Sequence, residues 1–153
     1  MVSWAGIASE VPIFAANVRA RFEAGTNKTL ATLRSDGAPR ISGTELEFGD
    51  DEITLGMMAA SVKLRDVRRD PRIALHSPTL EPPKDDPSGW LGEAKLAGVL
   101  VGIDPPAGSP HQDAGFFRVD ISEVVLTYVG APADHLVIES WHAGRGWQRR
   151  TRT

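Results

Sequence analysis

Ile53-Thr54-Leu55-Gly56-Met57-Met58-Ala59-Ala60-Ser61-Val62-Lys63-Leu64-Arg65-Asp66-Val67-Arg68-Arg69-Asp70-Pro71-Arg72 holds the decision about the fold. Ile53–Met58 reads as a strand that runs into small residues. A short basic helix over Ala60–Arg69 follows, and Pro71 stops it. The helix opening carries a hydroxyl, Ser61, and a lysine, Lys63, two residues apart. Backbone N–H groups without intrahelical partners point outward there. A hydroxyl, a compact cation and those free donors suit a phosphate, the alternative being a capped surface helix whose lysine faces water.

Outward from that stretch the pattern is mainly β. Arg72–Ser77 is the next strand. Upstream, Thr29–Leu33 is a short strand, Ser35-Asp36-Gly37 a turn, and Pro39–Phe48 the returning strand. The apolar alternation of that strand changes parity near Gly43, which predicts a bulge or a close backbone approach. Gly49-Asp50-Asp51-Glu52 turns the chain into Ile53. Downstream, Trp90–Ile103, Phe116–Val129 and Leu136–His142 are strands. Between Ser77 and Trp90 four prolines (Pro78, Pro82, Pro83, Pro87) mark a loop, and Asp104–Gly115 is another. At the start, Ser9 reads as the N-cap of a helix with Pro12 in its first turn. Val11, Phe14, Val18 and Phe22 follow at helical spacing, and Gly25 ends it. The expectation is one domain over residues 1–153: a mainly β, six- to seven-stranded antiparallel barrel with an N-terminal helix and one short inserted helix.

Composition narrows the function. The 153 residues are 41% hydrophobic and 24% charged, with no cysteine and a formal net charge of −3. Disulfides, thiol chemistry and cysteine-held metals are therefore excluded. A general nucleic-acid binder would be basic. Charge is nevertheless clustered: Lys63–Arg72 holds five basic and two acidic residues, and Arg145–Arg152 holds four arginines and no acid. Two cationic clusters on an acidic chain suit a small anionic ligand better than a polymer. No apolar run approaches the ~20 residues that span a bilayer, and no signal-peptide core opens the chain, so the expected location is the cytoplasm.

The familiar catalytic patterns are absent. No Gly-x-Ser-x-Gly elbow, Walker lysine or Gly-x-Gly-x-x-Gly occurs, and His76, His111, His135 and His142 lack metal-ligand spacing. Glu45 and Glu47 lie two apart on one strand face, where solvated carboxylates are the simpler reading. His76 and His142 fall on strands and read as packed or substrate-facing.

Thr29-Leu30-Ala31-Thr32-Leu33-Arg34-Ser35-Asp36-Gly37-Ala38-Pro39-Arg40, with Ser61-Val62-Lys63 and Arg68-Arg69-Asp70-Pro71-Arg72-Ile73-Ala74-Leu75, resembles the pyridoxamine 5′-phosphate oxidase-like, FMN-binding split-barrel superfamily. It is most similar to the actinobacterial branch of flavin- and deazaflavin-dependent oxidoreductases, over roughly residues 10 to 145. The resemblance implies a split barrel that holds FMN, or alternatively coenzyme F420, and transfers hydride to a small organic substrate. A flavin- or haem-binding protein without turnover is a further alternative. It implies a homodimer with the ring across the interface. It places Ser61 and Lys63 at the phosphate, Met57 and Met58 along the ring, and Arg40 and Ser42 as further contacts. Trp141, Trp147 and Arg149 are the candidates contributed by the partner subunit. Many relatives read Lys-x-x-Asn-Leu where this chain has Lys63-Leu64-Arg65-Asp66-Val67, which implies a structural role for Asp66. The C-terminal arginine and histidine pattern of true pyridoxamine phosphate oxidases has no match, so vitamin B6 oxidation is not implied.

Overall fold

The computed structural model describes residues 2–153. Its elements in chain order are α1 (Trp4–Glu10), α2 (Pro12–Phe22), β1 (Lys28–Leu33), β2 (Pro39–Thr44), β3 (Glu47–Phe48), β4 (Ile53–Met57), α3 (Val62–Arg69), β5 (Arg72–His76), β6 (Glu93–Gly102), β7 (Gly115–Val129), β8 (Leu136–His142) and β9 (Gly146–Arg152). All strand pairs are antiparallel. The hydrogen-bonded order is β2-β1-β5-β6-β7-β4-β3, with β8 on β7 and β9 on β8.

That order has a geometric consequence. β2 and β3 end the main path on opposite sides, yet only Glu45 and Leu46 separate them in the chain. The sheet must therefore curl until its two ends are neighbours, without a ladder between them. β7 makes the split. Its first part, Gly115–Arg118, pairs with β4, and its last part, Glu123–Val129, pairs with β8. β6 lines its other edge nearly throughout, with a register shift between Ala97 and Gly98. The result is an open, mainly β split barrel.

Alternation places the core. In β1, Lys28, Leu30 and Thr32 turn inward; in β7, Phe117, Val119 and Ile121 do so. The helices fill the remaining volume. Trp4 and Ile7 from α1 and Phe14, Val18 and Phe22 from α2 are buried. Trp4 meets Phe48 edge-on at 5.2 Å between ring centroids, and Phe22 packs on the same ring at 5.8 Å. α3 lies on β1 through buried Leu64 and Val67.

Several details differ from expectation. Ser9 is not a cap: it lies inside α1, whose N-cap is Ser3, accepting from the Gly6 N–H at 3.1 Å. α1 is a helix beyond the one expected; Pro12 lacks an N–H and separates it from α2, which begins behind Val11 without a side-chain cap. The expected strand over Pro39–Phe48 is broken into β2 and β3. Among the described residues nine strands form where six or seven were expected. β9 was not visible because Gly146-Trp147-Gln148-Arg149-Arg150-Thr151-Arg152 has no apolar alternation; it is an exposed edge strand that exists by pairing with β8. Leu136–His142 forms over the expected span.

Candidate functional site

The turn from β4 into α3 builds the first half of the site. Ser61 is extended (φ −72°, ψ 145°) and its Oγ accepts from the Leu64 N–H at 3.3 Å, the N-cap bond of α3. A hydroxyl that accepts one bond keeps its own proton to donate. Ser61 N–H in turn donates to the Met58 carbonyl at 3.0 Å, which closes the turn. Lys63 reaches across to β2, its Nζ donating to the Gly43 carbonyl at 2.7 Å. An ammonium has three donors, so this contact positions the charge without exhausting it. A Cβ at Gly43 would meet nothing within 4 Å, so the backbone there is open to an approaching group.

Arg40 approaches the same helix from β2. Its Nε donates to Asp66 Oδ2 at 2.7 Å, where Thr32 Oγ1 also donates at 2.7 Å; Arg69 bonds Oδ1 at 3.1 Å. Asp66 is only 2% exposed. Burial alone would raise its pKa. The bonds from Thr32, Arg40 and Arg69 and the charge of Arg40 outweigh that, holding the carboxyl below its ordinary range. Asp66 thus has the structural role expected of it: it fixes Arg40 beside α3. Arg34, Arg40, Arg65 and Arg69 border a cleft of about 500 Å³ around it.

Met57 and Met58 part ways, as successive residues at a strand end do. Met57 is buried in the core and Met58 is 80% exposed. Ser42 is half-buried, paired opposite Leu30. The remaining three candidates lie on β8 and β9. Trp141 is buried and donates from Nε1 to Glu10 Oε2 at 3.1 Å, which makes it core of its own chain. Trp147 is 40% exposed and donates to Glu139 Oε1 at 3.2 Å, while Arg149 stands opposite Glu139 in the ladder. Tyr128 donates to Glu139 Oε2 at 2.7 Å; burial first, and then the Glu139 carboxylate, push its hydroxyl pKa upward.

A larger feature was missing from the motif reading. The outer face of the sheet is hollowed into a cavity of about 630 Å³, within the range of small-molecule sites. Ala31, Ala74 and Ala97 lie in it, with His76, Glu93, Lys95 and Ile41 around them and Arg150 and Arg152 from β9. His76 Nε2 is 3.0 Å from Glu93 Oε2, and its Nδ1 is 2.6 Å from the Ser77 carbonyl. His142 similarly pairs with Glu123 at 3.1 Å. Alternation could place His76 and Lys95 on outward faces, but only the strand register makes them neighbours. Among the described residues no cluster of three metal-ligating side chains occurs, and no helix is long and apolar enough to cross a membrane. Glu45 and Glu47 are exposed.

Solved structures share this architecture. A pyridoxamine 5′-phosphate oxidase-related, FMN-binding protein from Nostoc punctiforme PCC 73102 superposes with a TM-score of 0.65 at 11% identity, over 97% of this chain and 99% of that one. PhzG from Burkholderia lata 383, seen in complex with tetrahydrophenazine-1-carboxylic acid, gives 0.62 at 10% identity over 93% and 89%. An F420 reductase gives 0.53 at 17% identity over 69% of this chain and 94% of its own. No family model matches the chain, and no curated protein does. The chain shares the fold of these solved structures, an open, mainly β split barrel.

Proposed function

We propose that the protein is an oxidoreductase that binds FMN, with the cofactor phosphate at the β4–α3 turn, and acts on a small organic substrate as a homodimer. The observation that carries this reading is the convergence at one turn of the Ser61 hydroxyl, the Lys63 ammonium and the open backbone at Gly43. These groups fit a phosphate: a donor with its proton to spare, a fixed cation and room to approach the main chain. Arg40, held by Asp66, and Ser42 flank them on β2. When bound, a flavin supplies the hydride-transfer chemistry, which accounts for a chain without a nucleophile–base constellation. The chain's own residues bind the phosphate, orient the ring and exclude water. Exposed Met58 borders the turn, and Trp147 and Arg149 are the contacts a second copy would bring.

Coenzyme F420 is the second reading. Arg150 and Arg152 point from β9 into the open-face cavity, a pair of permanent cations suited to an acidic tail. The F420 reductase fold match agrees with it.

Fluorescence titration with FMN and with F420 tests both. Lys63→Ala is expected to weaken the bound cofactor by about 10- to 150-fold, the equivalent of roughly 1.5–3 kcal/mol for a hydrogen bond to a charged group. Tight F420 binding with weak FMN binding would select the second reading. If neither cofactor binds the purified protein, the oxidoreductase reading fails.

A further inference from the structure

β7 separates two cavities. Val125 and Thr127 face the outer hollow, while the alternate residues Leu126 and Tyr128 face a second cavity on the helix side, of about 310 Å³. That volume stands at the small end of ligand pockets. Its floor is buried Leu126, continued by Tyr128 and Val129. Trp90 and Leu91 form one wall, and α2 forms the other through Asn17 and Arg21.

The wall in front of β6 is fixed in place. Trp90 donates from Nε1 to the Leu80 carbonyl at 3.0 Å. Gly92, at a φ of 93°, lies so close to Thr127 that a Cβ would collide with the carbonyl oxygen. Leu91 is thereby held at the rim, 65% exposed. On α2, Ile13, Asn17 and Arg21 recur every four residues and share one face, and Ile13 is 80% exposed. Two large apolar side chains stand in water beside an apolar floor, a surface that an apolar body would cover favourably.

Charge gives the cavity a direction. Among the described residues, Arg21 is the one charged group on its walls and has no acidic partner, whereas Arg19 is paired with Glu23 at 2.7 Å. Arg21 Nη1 donates to the Leu91 carbonyl at 3.3 Å, which positions the guanidinium and leaves most of its N–H donors free. The Asn17 amide lies one helical turn away. Beyond Tyr128, the Glu139 carboxylate is occupied by the Tyr128 hydroxyl at 2.7 Å and the Trp147 indole at 3.2 Å. An unpaired cation with no acid beside it selects an anion, and its planar fork matches a carboxylate.

We propose that this cavity binds a small apolar monocarboxylate, its carboxylate on Arg21 and Asn17 and its alkyl or aryl body on Leu126 against Trp90 and Leu91. The site uses no residue of the β4–α3 turn and lies across β7 from the outer hollow, so it stands whether or not the protein is an oxidoreductase.

Isothermal titration calorimetry of the whole protein with hexanoate, in neutral buffer and without added cofactor, tests the site. Saturable binding is expected, at least tenfold tighter than that of acetate, which lacks the apolar body, or of hexanamide, which lacks the charge. Arg21→Gln should weaken hexanoate at least tenfold and leave hexanamide unchanged. Asn17→Leu, an exchange at an exposed helix position that fills the cavity, should abolish binding. Lys95→Gln, on the outer face, should bind hexanoate as the parent does. No saturable heat with hexanoate overturns the proposal, as does equal affinity for hexanamide or unchanged hexanoate affinity in Arg21→Gln. Weakened binding in Lys95→Gln would put the carboxylate in the outer hollow and overturn it equally. Should Arg21→Gln fail to fold by circular dichroism, Asn17→Leu decides, and parental affinity there overturns the proposal.

Discussion

At the scale of single residues, Asp66 is the clearest case of one side chain setting the state of others. It is buried, ionised and bonded by Thr32, Arg40 and Arg69. Removing it leaves Arg40 and Arg69 without their common partner. Both are partly exposed (24% and 42%), so water recovers part of the loss. Asp66→Ala is expected to cost about 2–4 kcal/mol in urea unfolding, at the lower end of what breaking a buried pair costs. Acid should act in the same direction. The folded carboxyl titrates below its unfolded value of about 3.9, so its contribution is complete above that pH and is lost as pH falls through the folded pKa. Asp70, drawn to about 2 first by its hydrogen bonds with Arg72, titrates in the same window at the surface. Unfolding midpoints measured from about pH 6 to pH 2 should therefore fall less steeply in Asp66→Asn than in the parent protein. Parallel acid limbs would show that the carboxylate is not linked to folding. The structural role of Asp66 was legible only through the family resemblance, as a departure from the Lys-x-x-Asn-Leu pattern. Its partners were not, since Thr32 and Arg40 are brought to it only by the packing of α3 on β1 and β2.

At the scale of elements, the β4–α3 turn has two duties that substitutions can separate. Ser61→Ala removes the N-cap and should cost about 1 kcal/mol of stability as well as cofactor affinity. Ser61→Asp keeps an acceptor for the Leu64 N–H but sets a negative charge against the proposed phosphate. Its thermal midpoint should stay near that of the parent while FMN or F420 affinity falls further than in Ser61→Ala; equal cofactor affinity in the two variants would move the phosphate elsewhere. This element was readable from sequence because its signals are local: small residues, a hydroxyl, a lysine two positions on, then Asp70-Pro71. The features that escaped are those with no local signal. β9 is held only by its partner strand. α1 was not expected at all: only the spacing from Val11 to Phe22 was read as helical, with Ser9 as its cap, because Pro12 is tolerated in a first turn. The β6 irregularity at Ala97/Gly98 is likewise a tertiary requirement. A Cβ on Gly98 would stand 2.2 Å from the Asp120 carbonyl oxygen. Gly98→Ala must therefore displace β6 from β7, and a loss of about 1–3 kcal/mol is expected by urea unfolding.

At the scale of the whole molecule, the curled sheet has one filled side and one open side. α1 and α2 close the inner volume, whereas the outer hollow carries Ile41 at 74% exposure beside its register partner Ala31. Val99 on β6 is 37% exposed as well. An antiparallel sheet can leave one face to water when that face is polar. Here the small and branched apolar residues on β1, β2, β5 and β6 make the face costly to hydrate, which is the physical reason for expecting a second copy against it. A standard interface buries roughly 800 Å² on each partner, about a tenth of the 8746 Å² exposed by this chain. A cavity edged by such a contact would also lose its access to bulk water, which strengthens every charge interaction inside it. Sedimentation equilibrium should then return twice the 16.5 kDa chain mass. Ile41→Asp, which sets a carboxylate in the middle of the apolar strip and disturbs no buried packing within the chain, should return a single chain mass with an unchanged unfolding baseline. A parent protein that sediments as one chain would remove the homodimer and with it the assignment of Trp147 and Arg149 to a neighbouring site. Lys63 and Ser61 would keep theirs, because both are assembled within one chain.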